Sequence, residues 1–246
     1  MSTRTSRVRC PALVLRRWPY SESSLTLRLL TPELGTVPVL AKGVNKLKSG
    51  SLGVLDTWAL VEVEIGGPDD REMLDLYRVT LLDRMAGIST SRERLAAAAV
   101  LGELGEEAAP PGMPAPRVFL WLQEALQRLA EDPAPRHSLL VALLGGLDLL
   151  GLTPRLDPGP GDEPVWFAPA TGGALRSATR PADHARRIAP AALERMKEAQ
   201  AGQKGQDAPC EEVDACLTIL GDFLHYHLER PLRAWRALLE APATHL

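Results

Sequence analysis

Aromatic residues are scarce. Phe, Trp and Tyr make up 4% of the 246 residues, so the 45% hydrophobic content comes mainly from Leu, Ala and Val. Cysteine is scarcer still: Cys10, Cys210 and Cys216 form no CxxC pair, and an odd number of thiols argues against a disulfide framework. Buried thiols are expected instead. No apolar run approaches the roughly 18 residues of a membrane span, and the first residues lack the apolar core of a signal peptide. A cytoplasmic protein without a membrane partner is expected. No GxxxxGK[ST] run is present to cradle a phosphate, no GxGxxG follows a strand, and no serine sits in a GxSxG elbow. ATP-driven work and serine-hydrolase chemistry therefore have no site. None of the five histidines lies in a pattern that marks a general base.

What is present is the composition of a globular chain, 45% hydrophobic and 24% charged, long enough for one or two domains with their own cores. The net charge of −3 is unevenly spread. Residues 1–50 hold nine Lys or Arg against Glu22 and Glu33, a net +7, while the other 196 residues carry −10. Such a separation suggests that one end meets a polyanion.

The first 80 residues read as strands. Val8 to Trp18 is β-rich; Leu25, Leu27 and Leu29 then alternate with Thr26 and Arg28, which puts Arg28 on a wet face. Thr31-Pro32-Glu33-Leu34-Gly35 supplies a turn into Thr36 to Ala41. Val44 to Ser51 reads as an exposed basic loop. Ala59, Val61, Val63 and Ile65 alternate again up to Gly66-Gly67-Pro68, and Met73 to Leu82 forms the partner strand. Five short strands fit a small closed barrel such as an OB-fold.

From Ser91 the periodicity becomes helical. Helices are expected over Leu95 to Glu107, Arg117 to Ala130, Leu139 to Leu150, Pro190 to Ala199, Glu211 to Leu228 and Pro231 to Leu239. Residues 152–181, rich in Gly, Thr and Pro, read as a long loop or irregular subdomain with a short strand at Val165-Trp166-Phe167. The expected fold class is α+β: an N-terminal five-stranded OB-fold β-barrel over residues 1–82, followed by a mainly α-helical domain over 83–246.

Several constellations call for weighing. His225, His227 and Cys216 suggest a metal site, but residues two apart on a helix point to different faces and do not share an ion. Glu62 and Glu64, on alternate strand positions, read as a solvated face. A nuclease would need clustered carboxylates, and the basic segment has Glu22 and Glu33 alone, so no catalytic residue is assigned. Arg16, Arg17, Arg28, Lys42, Lys46 and Lys48 all fall on the predicted barrel or its loop, and three of the five lysines lie within seven residues. The cluster fits either a surface that neutralises DNA phosphates or a solvated face. Trp18, Tyr20 and Trp58 can stack on bases if exposed, with core packing or hairpin support as the alternative for Trp58. Arg233 and Arg236 add either a second contact or a complement to a helix dipole.

Three segments occur in order and at family spacing: Arg17-Trp18-Pro19-Tyr20-Ser21-Glu22-Ser23-Ser24, Leu30-Thr31-Pro32-Glu33-Leu34-Gly35 and Leu40-Ala41-Lys42-Gly43-Val44. With Leu149 to Pro154, Phe167 to Gly173 and His227 to Leu232, they resemble the bacterial RecO DNA repair and recombination proteins over nearly the whole chain. The resemblance implies binding of single- and double-stranded DNA, annealing of complementary strands, and action at the nucleoid. It also implies mediator work with RecR, in some lineages RecF, helping RecA to replace single-stranded DNA-binding protein (SSB) on gapped DNA. A protein-interaction adaptor with weak DNA binding of its own is the alternative.

The chain departs from the family pattern where many RecO proteins carry four zinc cysteines. Asp157 to Glu163 and Leu175 to Thr179 occupy those stretches without a thiol, so a version without metal or other cofactor is expected, with Trp166 and Phe167 as an apolar anchor. The C-terminal motif usually continues with Lys-Ser-Arg; here it reads Arg233-Ala234-Trp235. The usual Arg-Phe pair on the central helix has no counterpart, Arg136 being merely nearby, which weakens transfer of an SSB-peptide site.

Overall fold

The computed structural model describes residues 6–44, 53–68, 73–203, 209–228 and 230–240. They belong to two compact units, Met1–Thr90 with Leu104–Ala130, and Ser91–Glu103 with Glu131–Leu246.

In the first unit, strands β1 (Ser6–Ser21), β2 (Ser24–Thr31), β3 (Gly35–Ala41), β4 (Leu60–Gly67) and β5 (Leu74–Asp83) close into a barrel in the order β1-β2-β3-β5-β4. This is the five-stranded OB-fold expected from the alternation. Strand β1 is long because it serves two neighbours: Ser6 to Leu13 pairs with β4, and Leu13 to Ser21 with β2. A short parallel contact, Val39 with Leu74 and Leu40 with Asp75, completes the ring. The interior takes every second residue, as the strand period requires: Cys10, Ala12 and Val14; Leu25, Leu27 and Leu29; Val61, Val63 and Ile65. The outer side of β1 and β2 is packed as well. Leu13, Leu15 and Leu30 are fully buried although they lie outside the interior cluster. Arg28, expected on a wet face, is therefore half-buried between buried Thr26 and Leu30 on the same side of its strand.

The β2–β3 turn is fixed by side-chain and backbone chemistry together. Thr31 Oγ1 accepts from the Leu34 N–H at 3.1 Å and donates to the Gly35 carbonyl at 3.2 Å. Gly35 has φ +62°, and a Cβ there would stand 2.5 Å from the Pro110 carbonyl and 2.7 Å from that of Met113. Glycine is needed for both reasons. The 109–115 segment is held against this hairpin by backbone bonds from Thr36, Gly112 and Ala115 to Ala109, Leu34 and Pro32 respectively.

Six helices follow: α1 (Arg92–Ala108), α2 (Pro116–Glu131), α3 (Pro135–Leu149), α4 (Pro190–Gln200), α5 (Cys210–His227) and α6 (Ala234–Glu240). Ser91 caps α1, its hydroxyl accepting from the Arg94 N–H at 3.2 Å. Helix α2 buries a single stripe, Val118, Phe119, Leu122, Ala125, Leu126 and Leu129. Helix α3 is buried on nearly every side and packs against α4 and α5 as the central helix of the second unit.

The Gly- and Pro-rich stretch after α3 is more ordered than its composition suggests. It forms a three-stranded sheet in the order β7-β6-β8 from β6 (Val165–Ala168), β7 (Gly173–Arg176) and β8 (Arg186–Arg187). Phe167 anchors it, fully buried and edge-on to Phe223 of α5 with ring centroids 5.6 Å apart. Trp166 is half-buried, its indole N–H donating to the Ser177 carbonyl at 3.1 Å. Arg176 adds two bonds, to the Gly159 and Glu163 carbonyls, each at 2.9 Å.

Helix α6 begins at Ala234, so Arg233 precedes it and Arg236 lies in its first turn. That end of a helix dipole disfavours cations, which removes the dipole-complementing role; Arg236 pairs with Glu240 one turn on, at 2.9 Å. No described helix is long and apolar enough to cross a membrane.

Candidate nucleic-acid interface

The β1–β2 register decides which of the six basic residues meet. Arg16 stands directly opposite Arg28, and Trp18 opposite Thr26. Arg16 is exposed and turned toward Glu106, whose carboxylate accepts from Nε at 3.0 Å and from Nη2 at 3.5 Å. Arg28 has no hydrogen bond or ion pair among the described residues. Glu106 thus already offsets the Arg16 charge, while the Arg28 cation opposite it has no acid of its own among the described residues.

Arg17, one position along, leaves the barrel end. Its Nη1 lies 2.8 Å from Asp56 Oδ1 and 3.3 Å from the Leu55 carbonyl. Lys42 follows β3 and reaches Asp75 at 2.8 Å, where β3 and β5 meet. Lys46 and Lys48 lie outside the described residues. Three of the four described cations thus face a carboxylate. Ion pairs this exposed are worth roughly 0–1 kcal/mol, so a phosphate can compete with the carboxylate for each of them.

Sequence reasoning missed several residues. Arg84, just past β5, donates from one nitrogen to the Gly53 carbonyl at 2.6 Å and to Asp56 at 3.0 Å, so Asp56 sits between two guanidiniums. On the β1–β4–β5 side, Arg7 pairs with Glu64 and lies 3.8 Å above the Tyr77 ring, and Arg9 pairs with Glu62. Glu62 and Glu64 are therefore ion-pair partners on a partly exposed face. Only strand order, which a single sequence does not display, brings Arg84 to Asp56.

Reactive groups are not gathered anywhere in the described residues. Of the three thiols expected to be buried, Cys10 and Cys216 are, and burial pushes both up to about 12, leaving them protonated and unreactive at neutral pH; Cys210, at the start of α5, is only half-buried. No group of three or more His, Cys, Asp or Glu among the described residues can hold a metal ion. His227 instead donates to the Pro169 carbonyl at 3.1 Å and packs on Phe223.

Family comparison agrees with the barrel and the helical region alike. Residues 1–85 match the model for the Recombination protein O N terminal, and residues 89–236 that for the Recombination protein O C terminal. The chain belongs to the RecO family. DNA repair protein RecO of Anaeromyxobacter sp. (strain Fw109-5) is 32% identical over 250 residues, covering 96% of this chain and 97% of the relative. That of Anaeromyxobacter dehalogenans (strain 2CP-C) is 33% identical over 251 residues, covering 95% and 96%. The RecO protein of Bifidobacterium animalis subsp. lactis (strain AD011) is 28% identical over 239 residues, covering 92% and 97%. A role in DNA repair and recombination follows from this membership.

The RecO segments quoted from the sequence prove to be chiefly turns and strand ends. Arg17 to Ser24 covers the end of β1, the Glu22-Ser23 turn and the first residue of β2, Leu30 to Gly35 the Thr31-locked hairpin, and Leu40 to Val44 the exit from β3.

Proposed function

We propose that this RecO-family protein binds single- and double-stranded DNA on its barrel, anneals complementary strands, and acts with RecR as a mediator that loads RecA onto SSB-coated DNA, with RecF as a further partner in some settings. Its place of action is then the cytoplasm, at the nucleoid. The observation that carries DNA binding is the Arg16–Arg28 opposition on β1 and β2, with Arg17 next in β1, Lys42 at the end of β3, and Lys46 and Lys48 following in the chain. A phosphate bound there supplies Arg28 with a counter-anion and competes with Glu106 for Arg16. Cations shared by two backbones screen their mutual repulsion, which lets complementary bases approach. Annealing of this kind needs no catalytic group and no cofactor.

Anisotropy of a labelled single strand across a salt series tests the reading. About six neutralised phosphates give a log–log slope of roughly −4 on single strands. Arg28→Ala is expected to flatten the slope by about 0.7 and slow annealing. An unchanged slope would place the DNA elsewhere.

The carboxylate partners of Arg16, Arg17 and Lys42 favour a second reading, an adaptor that grips protein partners while its basic barrel lies beside the DNA they carry. Capture of RecR and SSB together with negligible binding of naked DNA at low salt would support it.

A further inference from the structure

At the end of the barrel, Arg17, Trp18, Pro19, Leu25, Gly53 and Asp56 line an open depression of about 510 Å³. Its wall carries an exposed indole. Trp18 is 42% exposed, although the sequence has few aromatics with which to fill its cores. A half-exposed indole beside apolar Pro19 and Leu25 offers a flat aromatic surface to a ligand.

The rim is charged and prebuilt. Asp56 is shared by Arg17 at 2.8 Å and Arg84 at 3.0 Å, leaving one net positive charge over three side chains. The segment carrying Asp56 is held from several sides: Arg17 donates to the Leu55 carbonyl, Arg84 to that of Gly53, and the Ala59 N–H to that of Asp56 at 3.1 Å. Trp58 sits at φ +74°, a conformation costly for a bulky residue, and its N–H donates to the Val14 carbonyl at 2.7 Å. The depression therefore keeps its shape without a ligand, as small-molecule and base pockets commonly do.

The geometry points to a nucleobase subsite: one unstacked base of a single strand lies on the Trp18 indole above Pro19 and Leu25, while a flanking phosphate competes with Asp56 for Arg17 and Arg84. The inference rests on the DNA-binding reading above and sharpens it. A duplex offers no free base face to the indole, so this subsite distinguishes single from double strands by stacking, where the Arg16–Arg28 pair acts on backbone charge alone. Asp56 acts as an internal competitor that keeps the phosphate exchangeable, which suits a protein that must release a strand into a new duplex.

The test uses the full chain with labelled oligothymidylate and an abasic oligonucleotide of the same length. Wild type is expected to bind the abasic strand about tenfold more weakly, within the range of one or two lost base–aromatic stacks. Trp18→Ala is expected to lose that preference, Trp18→Phe to retain most of it, and Asp56→Asn to bind oligothymidylate more tightly than wild type. The oligonucleotide comparison on unmodified protein makes the result independent of whether a variant folds. Equal binding of both strands by wild type would overturn the base subsite while leaving backbone binding intact. Binding of neither strand at low salt would overturn both the subsite and the DNA-binding reading on which it rests.

Discussion

Arg136 links three helices of the second unit. Its guanidinium, 13% exposed, bonds Glu93 at 2.6 Å and Asp214 at 2.7 Å, and so ties α1, α3 and α5 together. Burial works to lower its pKa, but hydrogen bonds and charge from Glu93 and Asp214 outweigh this and raise it, so the group stays charged throughout the stable range. Arg136→Ala removes a cation that both Glu93, 3% exposed, and Asp214 bond, and with it the link between α1, α3 and α5. A loss of about 3–5 kcal/mol in urea unfolding is expected. The thiols give a second expectation at this scale. Cys10 and Cys216 are raised by burial from an ordinary 9.0 to about 12, so the folded state holds their protons more tightly than the unfolded state. Their contribution to stability is complete below pH 9 and is lost as pH rises toward about 12. Iodoacetamide at pH near 8 should label neither thiol in folded protein and both in urea. A lone residue in a sequence shows none of this, since Arg136 reads only as a cation near the start of an apolar helix.

At the scale of elements, turns and packing partners decide more than strand propensity. Gly35→Ala forces a Cβ against two carbonyls at a positive φ. It is expected to destabilise the first unit by more than about 1 kcal/mol and to lower its urea midpoint. Phe167→Ala removes the anchor of the β6 sheet from the edge of Phe223 and is expected to cost about 3–5 kcal/mol, with proteolysis opening first between α3 and α4. The alternation of Leu25, Leu27 and Leu29 made β2 legible in the sequence, and that of Val61, Val63 and Ile65 made β4 legible. β7 and β8 were not legible, because four and two residues carry no periodicity. They are strands only because Trp166 and Phe167 offer them an edge. The outer packing of β1 was hidden for a related reason: Ala12 to Leu15 is a continuous apolar run, which alternation does not parse.

Across the whole molecule, charge is the property on which the proposed DNA binding depends. Three of the four described basic candidates are countered by acids from distant sequence, Glu106, Asp56 and Asp75. The net charge of +7 over the first 50 residues therefore overstates the bare positive field at these positions. Removing one competing acid should sharpen DNA binding: Glu106→Gln is expected to raise affinity for a single strand severalfold at low salt and to steepen its salt slope by up to about 0.7, read by anisotropy. For the expected metal-free state, elemental analysis of purified protein should find no stoichiometric zinc, and chelation should leave the thermal midpoint unchanged.

The strand and helix periods, the hairpin turn at Thr31 to Gly35 and the RecO-like segments could be read from the chain alone, since each is set by neighbours a few positions apart. Tertiary structure decided what those neighbours do not encode. It opposed Arg16 to Arg28, gave Asp56 two arginines, left Trp18 half-exposed and ordered the sheet around Phe167. The physical reason is that period and turn geometry are local properties of the chain, whereas ion pairing, burial and pocket shape depend on strand order and register, which exist only once the barrel has closed.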